Sequence, residues 1–393
     1  MAIVMHREKS AVNPLVIAFC ILSLPFFSCR AQTSSPGILV PAPGSPIAMS
    51  CDPGNIVASD LNKDDKADLV VSCGDNRTLS IFIGRGDGQF DITPGSPLKL
   101  SDAPNEIVIG DMNRDGNVDI VVGSHDSYRI LILKGDGSVN FDTSSSSSVI
   151  MRNGNDPHTH GLGIADMNGD GYTDIVTANS SDHDVSVMLS NGSGGFIPAP
   201  GSPFAVSPAP YPLTIGDVNG DSYPDIVSTT SDRSKRVITV LSGDGRGHFT
   251  RKDIPLRTAS PWYVSIGDIN NDKITDLVMT HSERSELTIL TGSRSGDFNE
   301  VTGSPFNLGN SAWHVAIADV DGDTNTDVLA AANNGVRVML GDGKGQFAPA
   351  PGSPFLTGRG TWHLAITDVN GDGKADVLTS NLESKSVSVL LGR

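Results

Sequence analysis

The sequence has 393 residues, a formal net charge of −17, 38% hydrophobic and 19% charged residues, 43 glycines and 24 prolines. An acidic balance of that size argues against a nucleic-acid partner, which needs a basic footprint. Abundant glycine and proline, with no helical period sustained beyond the N-terminus, point to an all-β chain of many short strands joined by turns.

The first segment, 1–31, reads as an export signal. Arg7 and Lys9 precede the apolar run 15–24, which is short of the ~20 residues a membrane span needs, and cleavage is expected after Ala31. A lipid anchor on Cys29 is the alternative, although Phe26 stands where bacterial lipoprotein signals usually carry Leu. Either route takes the mature chain out of the cytoplasm, to be secreted, periplasmic or held at the cell surface, with no transmembrane span. Residues 32–37 form a short leader, and 38–393 a single repeat domain. Two of the four cysteines, Cys20 and Cys29, lie in the signal; Cys51 and Cys73 remain in the first repeat. In an oxidising compartment they can bridge, in a structural role. Counting outward from the first loop sets Cys73 opposite Asn55, so a bridge requires the chain before the first strand to fold back.

A nine-residue loop then recurs seven times, with oxygen-bearing side chains at positions 1, 3, 5 and 9. In chain order these are Asp60, Asn62, Asp64 and Asp68, then Asp111, Asn113, Asp115 and Asp119, then Asp166, Asn168, Asp170 and Asp174. Asp217, Asn219, Asp221 and Asp225 follow, then Asp268, Asn270, Asp272 and Asp276. Asp319, Asp321, Asp323 and Asp327, and finally Asp368, Asn370, Asp372 and Asp376, complete the set. Alternate spacing in a tight turn lets such oxygens converge on one point. Calcium takes six to eight oxygens at ~2.3–2.6 Å, and a backbone carbonyl near position 7 usually adds one. One loop would pass for an ordinary Asx-rich turn, but seven in register predict up to seven calcium ions. The loops hold about half of the acidic residues, and seven divalent ions would set +14 against the net charge of −17.

The loop starts are 51, 55, 51, 51, 51 and 49 residues apart, a period that means a stacked or ring-like repeat. The 55-residue interval contains a serine run, 144–148. Each unit has one grammar. A short apolar strand precedes the loop, as in 162–165, and a second follows at once, as in 174–178. After a polar turn comes a third strand with clear alternation, as in 185–189. A Gly-Asp-Gly hairpin turn, as in 243–245, leads to a fourth strand that opens with Phe and runs to a Pro-Gly-Ser-Pro bend. Proline there suits an edge strand. Four antiparallel strands per unit, seven times, predict a seven-bladed β-propeller. The chain stops after the third strand of the seventh unit and begins with a lone fourth strand near 38–47, so the N-terminal strand is expected to close the ring.

These units resemble the FG-GAP or VCBS repeats of the integrin α-chain propeller and its bacterial relatives. The carriers are the Asp-x-Asn-Gly-Asp-Gly-x-x-Asp loops, the Asp-Ile/Leu-Val strands after them and the Gly-Asp-Gly-x-x-Phe turns. The resemblance implies one calcium per loop, on one face of the disc. It identifies no single function, because such propellers serve adhesion, lectin and enzyme-associated roles. Position 6, which favours Gly, is Asp65, Ser222, Lys273 and Thr324 in four copies. A β-branched residue is costly in a left-handed conformation, so the Thr324 loop is expected to turn differently, and Lys273 brings a positive charge near its ion. Graded affinities follow.

Six residues before each loop stand Gly54, Asn105, His160, Tyr211, Trp262, Trp313 and Trp362, which include every tryptophan of the protein. Tyr263, His314 and His363 follow the tryptophans. If the first strand runs toward the calcium face, this position rims the channel on the opposite face. His160, Tyr211, Trp262, Trp313, His314, Trp362 and His363 are then the candidate ligand-binding residues, for a glycan or an extracellular protein. The competing expectation is that these aromatics wedge between neighbouring blades. His158 and His160 could place two imidazoles on one strand face for a transition metal, but no third ligand is assignable from the sequence. Arg85-Gly-Asp87 falls where other repeats carry their hairpin turn and is expected to be one. No catalytic constellation stands out, and the expected role is a monomeric binding or adhesion module. The alternative is a polysaccharide lyase or dehydratase-like enzyme drawing its acid from His160, His314, His363 or Glu106.

Overall fold

The computed structural model describes residues 37–141, 143, 147–257, 259–281 and 283–393. The expected signal, the leader up to residue 36 and part of the serine run lie outside these residues.

The described chain is all β, without a helix, and forms seven antiparallel sheets. In the first blade, Ile56–Ser59 pairs with Asp68–Cys73, which pairs with Thr78–Gly84 and then Phe90–Ile92. Each later blade repeats that order. The seventh is completed by the N-terminus: Leu39–Pro41 pairs antiparallel with Ser386–Gly392, Leu39 opposite Gly392. The first strands of successive blades neighbour one another all the way round, the seventh touching the first, so they line the axis.

The pattern of burial explains why the strands read as they do. The second strand of every blade is buried at all six positions, because a neighbouring blade covers each of its faces. The core is accordingly seven clusters, each shared by two adjacent blades. At the closing joint Ile56, Leu69 and Val71 of the first blade pack on Leu378, Val387 and Val389 of the seventh. Each such side chain contributes about 1.5–3 kcal/mol of burial.

The fourth strand is shorter than expected. In five blades it breaks after three residues at a cis Ser-Pro bond, and a two-residue strand beyond the bend returns to the same third strand. Phe196–Pro198 and Phe204–Ala205 flank such a break, both pairing with Asp184–Ser190. The serine accounts for its place in Pro-Gly-Ser-Pro. Its hydroxyl accepts the third-strand amide left over at the break, from Val187 to Ser202 at 3.0 Å and from Ile81 to Ser96 at 2.8 Å. The fourth blade lacks the motif and keeps one continuous edge strand, Phe249–Pro255.

Cys51 and Cys73 are bridged, with Cα atoms 5.8 Å apart, and the chain before the first strand does fold back. The expected register is one residue off along the whole strand pair, since Ser59 faces Asp68 and Ile56 faces Val71, and a further shift follows at Ser72. Ser72 bonds both Gly54, whose amide it accepts at 2.8 Å, and Asn55, to whose carbonyl it donates at 2.9 Å. Two residues there oppose one, a β-bulge that adds to the offset already present along the strands. Arg85-Gly-Asp87 is a hairpin turn, closed by the Arg85 amide on the Gln89 carbonyl at 2.9 Å.

Candidate functional site

The loops and the rim residues occupy opposite ends of the first strands. In the loop from Asp166, the Asp166 carboxylate accepts amides of Gly169, Asp170 and Gly171 at 2.8, 3.1 and 2.6 Å. Asn168 accepts the Asp170 amide at 3.0 Å, and Asp170 accepts that of Tyr172 at 2.8 Å. Positions 4 and 6 are left-handed in all seven loops. Thr324 is no exception, contrary to expectation: its φ is 71°, and its amide donates to Asp319 at 2.8 Å. A left-handed residue costs about 1–2 kcal/mol. A hydrogen bond to a charged group, worth ~1.5–3 kcal/mol, offsets it.

The ninth-position Asp is fully buried in every loop and ties it to the third strand. Asp174 accepts the Met167 amide at 2.8 Å and the Ser190 amide at 2.7 Å. In the other six blades that third-strand donor is glycine, for example Gly341, where a Cβ would run into the Thr326 carbonyl oxygen. Burial, aided by the neighbouring carboxylates and opposed by these amides, pushes Asp174, Asp225, Asp276 and Asp327 up to about 6. The donors are all oxygen, and Asp319, Asp321 and Asp327 bring ligand atoms within 4.8 Å of one another. Each carboxylate keeps lone pairs beyond those its amides occupy. Such a donor set fits a hard cation of the calcium type.

At the other end the first strands bulge. In the sixth blade Ala312 pairs with Ala332 but His314 with Ala331; in the seventh Thr361 pairs with Asn381 but His363 with Ser380. Trp313 and Trp362 are the extra residues. Bulges re-aim side chains, and here both members of each Trp-His pair reach the channel mouth. The result is a cavity of about 330 Å³ lined by Tyr211, Trp262, Tyr263, Trp313, His314, Trp362 and His363, with Asn55 and Glu106 across from them. The half-buried rings run in series. Tyr211 lies 4.3 Å from Trp262, Trp262 5.8 Å from Trp313, and Trp313 5.2 Å from Trp362, centroid to centroid. A second tier sets Tyr263 4.0 Å from His314 and His314 3.7 Å from His363. These aromatics pack on one another around the ring and still present surface to the cavity.

Asn55 joins three blades, donating to Glu106 at 2.7 Å and lying 3.2 Å from His363 Nε2. Burial pushes the Glu106 carboxyl up to about 7, only partly opposed by Asn55. Burial also lowers His363 to about 3, holds His314 well below its usual value, and with the Glu106 charge raises Tyr211 to about 12. At neutral pH the cavity therefore holds neutral imidazoles, protonated phenols and one carboxyl near its midpoint. Asn55 Oδ1, His314 Nδ1 and His363 Nδ1 are buried without a protein hydrogen-bond partner. Asn55 was missed from the sequence as a site residue; comparing the residues just after the rim position around the repeats would have found it. His160 does not line this cavity. It stacks 3.8 Å from Tyr211 and turns toward His125 and His158.

Among the described residues no helix is long and apolar enough to cross a membrane. The FG-GAP-like repeat family matches residues 60–122, 111–177, 166–228, 217–279, 268–330 and 319–379. Among curated proteins, none matches the sequence. Several solved structures share the fold. BBS1N, solved in complex with ARL6DN, is 13% identical with a TM-score of 0.63, over 91% of this chain and 98% of its own. A streptogramin B lyase is 12% identical with a TM-score of 0.60, over 88% and 97%. An Agrocybe aegerita lectin that recognises non-reducing terminal N-acetylglucosamine is 18% identical with a TM-score of 0.55, over 77% and 80%. Seven Asp-rich loops in register, a closed ring of four-stranded blades and a match spanning most of the sequence lead to one assignment: the chain belongs to the FG-GAP-like repeat family.

Proposed function

We propose that this protein is an exported, calcium-stabilised binding module whose aromatic cavity takes a glycan. The cavity carries the reading: three tryptophans and two tyrosines offer ring faces, and Asn55, Glu106 and His363 offer hydrogen bonds between them. Binding sites commonly pair such an apolar wall with a few convergent polar groups. Propellers of this shape include a lectin for a terminal sugar and a partner-binding protein. In each loop, residues 1, 3, 5 and 9 would hold calcium, which would neutralise carboxylates that otherwise repel. The Cys51–Cys73 bridge supports export, since such bridges persist in oxidising compartments.

Tryptophan fluorescence tests the reading, because all three tryptophans line the cavity. Titration with polysaccharides and their fragments in calcium should give a saturable change, weakened at least tenfold by Trp313→Ala or Trp362→Ala. A flat response across the panel would remove the glycan and leave a protein ligand as the reading.

One observation favours a second reading, a lyase- or dehydratase-like enzyme. Glu106, whose carboxyl burial pushes up to about 7, is suited to move a proton at neutral pH. Product analysis of any glycan that binds, with Glu106→Gln as the control, separates binding from turnover.

A further inference from the structure

Three imidazoles from two blades meet beside the cavity. His125 lies in the turn after Asp119–Ser124, and His158 and His160 flank Thr159 at the start of Thr159–Ala165. The Thr159 amide donates to the His125 carbonyl at 3.1 Å and so pins the two segments together. The ring centroids are 4.1 Å apart for His125 and His158, 4.6 Å for His158 and His160, and 4.9 Å for His125 and His160, all edge to face. Each ring offers a nitrogen within 4.8 Å of the other two. Asp126 contacts His125 Nδ1, which leaves Nε2 as the free lone pair. Among the described residues, the ring nitrogens of His158 and His160 have no hydrogen-bond partner.

We propose that His125, His158 and His160 form a transition-metal site, with a fourth position open to water or a ligand oxygen. Imidazole suits zinc and its late first-row neighbours, and three histidines plus one exchangeable position is an established zinc geometry. Metal–nitrogen bonds of ~2.0–2.1 Å set tetrahedral nitrogens about 3.4 Å apart. Binding would close the present spacing, within 4.8 Å, to that value by side-chain rotation. Asp126 acts as the carboxylate that orients a ligating histidine. The site is separate from the carboxylate loops in both place and donor type. Its soft-to-borderline nitrogens would select a different ion from the all-oxygen loops. Because His160 stacks on Tyr211, an ion here would adjoin the cavity wall.

The test is a zinc titration of the full chain by calorimetry in excess calcium, which keeps the oxygen loops saturated. One zinc per chain is expected, lost in His125→Gln and in His158→Gln, and about 10–100-fold weaker in Asp126→Asn. Cobalt in place of zinc should give the visible absorption of a tetrahedral site in the parent chain and not in the histidine variants. Asp126 is exposed, so its variant keeps the test decisive if a histidine variant fails to fold. Absence of zinc binding, or equal binding by the parent and all three variants, would overturn the site.

Discussion

His314 and His363 are neutral because the cavity wall denies their charged forms water, and that gives stability a definite pH dependence. The folded value of His363 is about 3, below the usual 6.5, so the unfolded chain binds more protons between those values. Its contribution is complete above pH 6.5 and is lost as pH falls toward 3. Glu106 works in the opposite sense: raised from 4.5 to about 7, its contribution is complete below 4.5 and lost as pH rises through 7. Because Glu106 and the raised loop aspartates work against the histidines on acidification, the predicted outcome is a difference between two profiles: as pH falls from 6.5 toward 3, His363→Gln should lose less melting temperature, or gain more, than the parent. Superimposable melting-temperature profiles for the two proteins would remove burial as the cause. The loop residues were legible because repetition amplified them. Thr324 was misjudged because propensity alone was weighed, without the Asp319 carboxylate that rewards its left-handed amide.

Single elements show where local pattern ends and pairing begins. Strands, loops and hairpin turns were legible from alternation and glycine placement. The broken fourth strand was not, because it depends on which third-strand amide lacks a partner. Ser202 supplies that partner for Val187. Ser202→Ala should leave the amide unpaired and destabilise the protein by about 1–3 kcal/mol, read as a lowered midpoint in denaturant at unchanged slope. A midpoint unmoved by the substitution would assign the serine to the bend alone. The bulges at the channel mouth are likewise pairing features. They turn a sequence position into a pair of side chains aimed at one cavity.

For the whole molecule, stability resides between blades, since every core cluster spans two of them. A ring of this kind has no weak end once Leu39–Pro41 joins Ser386–Gly392. Calcium, if bound as proposed, adds about 2.7 kcal/mol for each loop held at a hundred times its dissociation constant. Even a few such loops should make chelation lower the melting temperature by on the order of 10 °C. Calorimetry with and without chelator reads this directly, and coincident melts would withdraw calcium from the proposal.

Read alone, the sequence determined the number of blades, the strands in each, the closing strand and the residues of the loops. These rest on local chemistry repeated seven times, and repetition turns weak turn and strand preferences into a reliable period. Only the tertiary structure decided what lies together across blades: Asn55 with Glu106 and His363, the bridge between Cys51 and Cys73, and His125 beside His158 and His160. The reason is geometric. A one-residue bulge changes which way a side chain faces, and the curvature of the ring brings distant segments within bonding distance. Neither leaves a periodic trace along the chain.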